Sequence, residues 1–385
     1  MKLTLANVSG ALVGAAAAAA PMLAAAGVTL YEEGDKYVEI GGRLQAQYMR
    51  VDPDQRDSED DFFLRRLRLY VEGSVTKDTY GIWQVDFGDS SDDPEVKDAY
   101  IRYSGLSVGH ITVGNHYVPF SREALTSSKR QQFVERQFVG DHNYGVPDRE
   151  MGISYTAKND TLIGQVGVYQ AGIDPDSSLN KVDFESRVSS DAEYFGNLIA
   201  GRVDFNPFGH FKLAQGAFGE EMKLGIGINA FTWSNDEDVD FGTGSGEVED
   251  QYEDITGAGI DAAFRSGYLS VDAAYQSFSA ELDADSASFG APTGMVDANG
   301  DADFETYMVK GGYMLVPSRF EGVLGYSALD ADAWDETDTR ISVGGNYFLN
   351  KHNAKIQVTY EFGQDIEGVD GDDADTLYIQ FQQVL

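Results

Sequence analysis

Positively charged side chains are concentrated in the first part of an otherwise acidic chain. Residues 1–150 hold 16 basic against 23 acidic side chains, whereas residues 151–385 hold 12 against 41. Arginine carries a rigid fork of N–H donors that matches the oxygens of phosphate and carboxylate groups. The candidates for binding anions are Arg43, Arg66, Arg68, Arg102, Arg122, Lys129, Arg130 and Arg136. They could form a cationic ladder that attracts anions, or the strand arginines could pair with Glu39, Glu72 and Asp98 and fill a polar interior.

Residues suited to catalysis have no catalytic spacing. The chain has five histidines, which are His110, His116, His142, His210 and His352. They lack metal-ligand spacing on a common element, and the sequence pairs none of them with a serine. No Walker-type loop occurs, and the absence of cysteine excludes disulfides and thiol nucleophiles. The sequence therefore predicts neither an enzyme nor a bound cofactor.

One acidic segment resembles the opening of a calcium-binding loop. Asp297, Asn299 and Asp301 match its first, third and fifth positions. The sixth position, however, holds Ala302 rather than glycine, and the twelfth holds Met308 rather than glutamate. The segment is interpreted as a solvated loop, with loose binding of divalent ions as the alternative.

The composition restricts the class of protein. The chain has 385 residues, a formal net charge of −36 and 42% hydrophobic residues, so it can bury a substantial apolar surface. The acidity argues against nucleic acid as a partner, because nucleic-acid binding requires clustered Lys and Arg. No long uncharged apolar run follows the first thirty residues, which excludes a helical membrane protein but not a barrel of alternating strands.

The N-terminus has the features of a secretory signal. Lys2 precedes an apolar stretch from Ala11 to Leu23, and small residues at Ala24–Ala26 form a cleavage site. The sequence predicts that residues 1–26 are a signal peptide and that residues 27–385 form the exported protein.

The elements that must position the charged side chains have a period of two. From Val38 to Tyr48, apolar or small residues alternate with polar ones, which indicates a strand with one apolar and one water-facing side. The polar side of the early strands carries Arg43, Arg66, Arg68 and Arg102. Similar segments begin near Lys223, Leu269, Thr306, Arg340 and Lys355, with weaker ones near Met151, Leu162, Leu198, Ile255 and Phe320. The pattern predicts an all-β protein.

The connections favour a transmembrane barrel over a soluble β-sandwich, whose strands also alternate. Tight turns are predicted at Asn206–Gly209 and Val316–Ser318. Long acidic connections, expected to be mobile, are predicted at 235–254, 283–303 and 365–375. Short turns at one rim and long loops at the other are typical of an outer-membrane barrel, whose two ends face different compartments.

Strand ends and the C-terminus support the same conclusion. Aromatic residues recur at strand ends, as at Tyr48 and Tyr347, where a membrane-interface girdle would place them. The chain finishes with an amphipathic strand, Leu377–Leu385, which suits closure of a barrel without an unpaired edge. The segments predict a 16-stranded antiparallel transmembrane β-barrel, a size that leaves an aqueous channel.

Several stretches resemble the phosphate-selective porins of the O and P type. They are Arg65–Gly73, Val96–Tyr103, Ile111–Ser121, Glu123–Ser128 and Phe133–Arg136. The resemblance is detailed over residues 37–155, and beyond them the strand rhythm and terminal strand match. It implies a bacterial outer-membrane barrel, a homotrimer in lipid, and a third loop, about 117–148, folded inward as a constriction.

The resemblance also suggests roles for single residues. It implies that Arg43, Arg66 and Arg68 lie on the wall near an anion path, and that Lys129 and Arg130 lie close by. Asp86 takes the position of a pore-lining acid. The implied function is passive diffusion of small hydrophilic solutes and ions, with phosphate or another small anion as cargo. The alternatives are a general or cation-tolerant porin, and a surface barrel whose acidic loops bind cations or a partner.

Overall fold

The computed structural model describes residues 27–88, 94–173, 181–185, 195–235, 252–282 and 294–385, and the predicted signal peptide lies outside them. The described strands are β1 (Val28–Glu33), β2 (Lys36–Pro53), β3 (Glu59–Thr76), β4 (Thr79–Asp86), β5 (Glu95–Tyr103), β6 (His110–Tyr117), β7 (Arg149–Lys158), β8 (Leu162–Ile173), β9 (Phe184–Glu185), β10 (Phe195–Phe205), β11 (Glu220–Ser234), β12 (Tyr252–Gly267), β13 (Leu269–Leu282), β14 (Asp301–Val316), β15 (Phe320–Ala331), β16 (Asp338–Asn350), β17 (Ala354–Gln364) and β18 (Ala374–Val384). All five weaker segments of the sequence lie in strands.

Sixteen of these strands close into one antiparallel barrel. Each pairs with the next along the chain, except that β8 pairs with β10. The short β9 extends β8, and β1 folds back on β2. β18 returns to β2 in register from Ala374↔Pro53 to Val384↔Arg43, and the Leu385 N–H donates to the Gly42 carbonyl at 2.8 Å. Closure leaves no unpaired edge in lipid, and the predicted 16-stranded barrel is confirmed.

Side chains on the wall alternate as the sequence predicts. Large apolar side chains are exposed on the outer surface, among them Leu69, Val113, Ile153, Val168, Ile228 and Leu324. Their chain neighbours Arg68, Thr112 and Asn229 are buried on the inner side. An outer apolar band opposite an inner polar face is the arrangement that lipid on one side and water on the other require.

Arg65 interrupts the apolar side of β3, and the structure explains this exception. The β2–β3 register shifts between Gln45 and Ala46, whose partners are Arg66 and Leu64, so Arg65 is the extra residue of a β-bulge. The extra residue of a bulge interrupts the alternation of side chains along the strand, so its side chain can point to the other face of the sheet. Arg65 Nε therefore lies 2.9 Å from a carboxylate oxygen of Glu135, inside the barrel.

The connections are short at one end of the barrel, with one exception. Val316 and Phe320 are joined by three residues, as predicted for that turn. At Asn206–Gly209 the Gly209 N–H does donate to the Asn206 carbonyl at 3.0 Å, but β11 begins only at Glu220. The predicted turn is therefore present, but the short connection expected from it is wrong, because further residues separate the turn from β11. The polypeptide continues to the inside of the barrel, where Gln215 and Ala217 are buried.

The acidic connections that the structure describes form folded turns. Residues 236–251 and 283–293 lie outside the described chain, but the β17–β18 connection is defined, with the Ile366 N–H donating to the Asp372 carbonyl at 2.9 Å. The Asp297 carboxylate accepts the N–H groups of Asn299 and Asp301 at 2.7 and 3.1 Å. In the described part of the chain, no three His, Asp or Glu residues are arranged to hold a metal ion.

One side of the interior is apolar. Toward the ends of β8 and β10–β15 that lead into the long connections, inward side chains form a buried cluster with the connection that follows β6. Its large members include Phe120, Phe138, Phe231, Trp233, Phe278, Phe304 and Leu329. The expected polar interior is therefore wrong for this side of the barrel. The inward side chains are apolar here because the connection that follows β6 packs against these strands, and its buried residues require apolar partners.

Candidate functional site

The connection between β6 and β7, here called the β6–β7 segment (residues 118–148), carries four of the predicted cations. It contains a one-turn helix, Arg122–Leu125, capped by the Ser121 hydroxyl, which accepts the Ala124 N–H at 3.4 Å. Arg136 braces this turn, because its guanidinium donates to the carbonyls of Glu123, Ala124 and Thr126 at 3.2–3.4 Å. Arg136 thus serves the internal structure of the segment.

Polar side chains attach the segment to strands that are distant along the sheet. The Lys310 ammonium on β14 lies 2.7 and 2.8 Å from the two carboxylate oxygens of Glu123. Gln132 donates to Glu321 on β15 at 2.8 Å, and Lys355 on β17 donates to the Gln131 carbonyl at 2.8 Å. The segment begins on β6 and ends on β7, yet its hydrogen bonds reach β14, β15 and β17.

The connection between β10 and β11 also reaches the segment. The side-chain oxygen of Gln215 accepts the Gln132 N–H at 2.7 Å, and its amide nitrogen donates to Glu123 at 2.7 Å. The Gln215 N–H donates to the Arg130 carbonyl at 3.0 Å. Two connections from opposite ends of the strands therefore meet inside the barrel.

Charges beside the apolar side of the barrel are paired. Arg202 donates to Asp204 and Asp261, each at 2.6 Å, and Arg265 lies 2.8 Å from Asp272. Arg122 lies 3.8 Å from the same Asp272 and is itself buried. Since these carboxylates already neutralise the arginines, Arg122 offers little free charge to a solute.

An open cavity lies on the other side, between the β6–β7 segment and the wall from β2 to β8. Its volume is about 740 Å³. Its charged lining residues are Arg43, Arg102, Lys129, Arg130, Arg149 and the single acid Asp98. The cavity is therefore locally basic in a chain whose formal net charge is −36.

Three of the lining cations have neither a charged partner nor a side-chain hydrogen bond among the described residues, whereas Arg102 donates to the Thr112 hydroxyl at 3.4 Å. Arg43, Lys129 and Arg130 form no ion pair or side-chain hydrogen bond with any described residue, and the buried Nε of Arg43 has no partner. Burial, followed by the positive charges of Arg130 and Arg43, lowers the pKa of Lys129 to about 8. The N–H groups of the three side chains are therefore available to an anion.

The comparisons with known proteins agree with this architecture. Residues 38–382 match the family model for Phosphate-selective porin O and P. The chain belongs to this family. The predicted family and its outer-membrane location are thereby confirmed. An uncharacterized protein of Aquifex aeolicus is 27% identical over 199 residues, which are 45% of this chain and 47% of that protein, so the match spans about half of that relative.

Solved porins share the fold of this family member at low identity. The anion-selective porin from Comamonas acidovorans has a TM-score of 0.61 and 14% identity, over 91% of this chain and all of that one. OmpF of Salmonella typhi in complex with daunomycin gives 0.59 and 14%, over 92% and 100%. The trimer form of OmpT from Vibrio cholerae gives 0.57 and 13%, over 91% and 100%. No helix in the described residues is long and apolar enough to cross a membrane.

The predicted site residues of the porin fall into three groups. Arg43, Arg102, Lys129 and Arg130 line the cavity, whereas Arg122 and Arg136 belong to the anchoring of the β6–β7 segment. Arg66, Arg68 and Asp86 form the third group and lie outside the cavity lining.

Both arginines of the third group have acidic partners. Arg68 Nε donates to Asp86 at 2.5 Å, and Asp86 also accepts the Leu67 N–H at 2.9 Å. Arg66 Nη2 lies 3.9 Å from Glu135, which Arg65 also contacts. Although burial acts to raise it, the neighbouring Arg65 and Arg66 lower the pKa of Glu135 to about 2. The interpretation that strand arginines pair with acids fits this group, with different acids from those expected.

Sequence reasoning missed Arg149 and the aromatic part of the lining. Arg149 donates to Asp98 at 3.1 Å and to the Tyr117 hydroxyl at 2.7 Å. The cavity rings are Tyr70, Tyr80, Tyr100, Tyr117, Tyr169, His110 and His116. The girdle prediction concerns aromatic residues at strand ends, such as Tyr48 and Tyr347, whereas Tyr70 and Tyr100 share the period-two side of Arg68 and Arg102. That same alternation was the signal that could have found them.

A histidine–serine pair is also present, contrary to expectation. His116 Nε2 lies 2.7 Å from the Ser154 hydroxyl, and Nδ1 lies 2.8 Å from the Gly114 carbonyl. The two residues are far apart in sequence, on β6 and β7, so spacing could not reveal them. The second nitrogen faces a backbone carbonyl rather than a carboxylate, so the pair lacks the third member of a catalytic triad.

Proposed function

We propose that this barrel is an outer-membrane porin for passive diffusion of small hydrophilic anions, with phosphate as the favoured cargo. The observation that carries the proposal is the group of unpaired cations, Arg43, Lys129 and Arg130, on the lining of an open cavity. No bond is made or broken in this function. The solute exchanges part of its hydration for N–H donors and then leaves, as selective pores require.

The route runs between the β6–β7 segment and the wall from β2 to β8. The segment's ties to Lys310, Glu321 and Lys355 support a path across the interior, so that it acts as the constriction. The opposite side is filled by the apolar cluster. A solute is therefore confined to the basic side.

Local charge outweighs net charge in this proposal. The screening length is about 8 Å at physiological ionic strength, so acidic loops further away contribute little at the constriction. An unpaired cation about 4 Å from an anion contributes roughly 1 kcal/mol even in a water-like medium. Three such charges favour anions despite the formal net charge of −36.

Planar-bilayer recordings under a salt gradient test the proposal. We expect stepwise conductance, a reversal potential on the anion side, and block of the current by added phosphate. Arg43→Gln should reduce the anion-to-cation permeability ratio about fivefold, as loss of roughly 1 kcal/mol predicts. Lys77→Gln removes the same charge from an exposed turn outside the cavity and should leave the ratio unchanged.

Each outcome bears on a different part of the proposal. Absence of stepwise conductance would remove the channel function. A reversal potential on the cation side, without block by phosphate, would remove anion selectivity and favour the cation-tolerant alternative.

Export and assembly are part of the same proposal. Residues 1–26 are the signal peptide, and residues 27–385 assemble in lipid as a homotrimer. The trimer form named for OmpT, whose fold is similar, supports the second statement. N-terminal sequencing of protein from outer membranes should begin at Gly27, and chemical cross-linking should give a trimer band. A retained Met1 or a monomer band would contradict the respective statement.

A further inference from the structure

The cavity wall carries a continuous series of aromatic rings beside its cations. The ring centroids of Tyr80 and Tyr100 are 6.1 Å apart, those of Tyr100 and His116 are 6.0 Å apart, and those of His116 and Tyr169 are 5.2 Å apart. These side chains come from β4, β5, β6 and β8, and all four line the cavity. The series is called the aromatic path below.

We infer that the aromatic path binds the flat face of organic anions, so that the porin prefers aromatic carboxylates to small aliphatic anions of equal charge. The inference rests on the proposed function, because the same unpaired cations would hold the carboxylate. The unpaired cations alone do not distinguish aromatic from aliphatic anions, whereas the aromatic path assigns aromatic carboxylates to the cavity.

Three rings of the aromatic path, those of Tyr80, Tyr100 and His116, lie outside the apolar cluster, whereas Tyr169 borders the cavity and also belongs to the cluster. Phe231 and Phe278 are enclosed by other apolar side chains and serve packing. The path instead borders open volume together with charged groups. Arg102 lies over Tyr80 and Tyr100, with its guanidinium carbon 5.8 and 5.4 Å from their ring centroids. These rings therefore present a surface on which a planar group can stack within the usual 4.5–7 Å between ring centroids.

The cavity is also the right size for an organic ligand. Its volume of about 740 Å³ lies within the range of roughly 300–1,000 Å³ that holds small organic molecules. Such sites combine aromatic lining with a few convergent polar groups. Here the buried Arg43, whose Nε has no partner, supplies one of those polar groups. A phosphate ion alone would use the cations and leave the aromatic surface without a partner.

Comparing block of the chloride current by benzoate with block by acetate separates the contribution of the aromatic ring from that of the carboxylate charge. Stacking on one ring contributes a factor of about 2 to 10 in affinity. We expect benzoate to reach half-block of the wild-type porin at about one-tenth of the acetate concentration. Tyr100→Leu should raise the ratio of the benzoate to the acetate half-block concentration severalfold, toward 1, and Tyr100→Phe should keep it near the wild-type value, since phenylalanine retains the ring.

Two further variants control the measurement. Tyr313→Leu removes a tyrosine from the outer surface and should leave the benzoate-to-acetate ratio at the wild-type value. Tyr80→Leu tests the path independently should Tyr100→Leu fail to fold, and it should raise the same ratio.

The outcomes distinguish this inference from the proposed function. Equal block by benzoate and acetate, with phosphate block intact, would overturn the aromatic preference and leave anion transport standing. A cation-side reversal potential without block by any anion would overturn the proposed function itself.

Discussion

The buried ion pair between Glu123 and Lys310 is the strongest single attachment of the β6–β7 segment. Both side chains are at most 3% exposed, and the ammonium contacts both carboxylate oxygens at 2.7 and 2.8 Å. Gln215 donates to the same carboxylate at 2.7 Å. The substitution Glu123→Gln keeps the shape of the side chain but leaves the Lys310 charge buried without a counter-charge.

The free-energy cost of Glu123→Gln follows from the burial of the ion pair. Removing one partner of a buried ion pair costs about 3–5 kcal/mol, largely because the remaining charge stays desolvated. At about 1.4 kcal/mol per factor of ten, the ratio of seated to unseated segment falls by two to three orders of magnitude. The strands keep their own hydrogen bonds, so the cost falls on the position of the segment rather than on barrel formation.

Single-channel recording is the direct assay. We expect Glu123→Gln to give a larger and noisier conductance than wild type, while heat-modifiable gel mobility reports an intact barrel. The double variant Glu123→Gln with Lys310→Met removes both charges and should recover most of the quiet conductance, because no charge then remains buried unpaired. A quiet, wild-type conductance in the single variant would refute the anchoring role of the pair.

Three further predictions follow from Lys129 and Glu135 of the β6–β7 segment and from Gln215 of the β10–β11 connection. The pKa of Lys129 is about 8, so its positive charge is present below that pH and lost above it. The anion preference measured from reversal potentials should therefore fall between pH 7 and 9. Lys129→Arg should abolish that fall. Gln215→Ala leaves buried polar groups unsatisfied, so it should cost about 1–3 kcal/mol, measurable as increased current noise without loss of the barrel. Glu135→Gln removes the carboxylate that Arg65 and Arg66 share, so the reversal potential should move further to the anion side. An unchanged reversal potential would mean that these arginines do not face the permeation path.

The sequence by itself determined the barrel and the side of the wall on which each strand residue lies. Arg43 and Arg68 could be assigned to the inside because alternation is a local property of the sequence. A shift of one residue in the strand register would turn apolar side chains to water and polar side chains to lipid. The terminal strand could be matched to closure for a similar reason, since an open edge is intolerable in lipid. The bounds of the connection after Tyr117 were implied by the family resemblance rather than by alternation.

Only the tertiary structure decided which cations are free. Arg43 and Arg68 have the same residue type on the same face of adjacent strands, yet Asp86 neutralises only Arg68. The attachment of Glu123 to Lys310 joins residues 187 positions apart, and no local pattern encodes such a contact. The apolar cluster, the inward turn at Gln215 and the aromatic path depend likewise on how distant segments pack. Charge pairing and burial are properties of three-dimensional neighbours, whereas alternation is a property of neighbours along the chain.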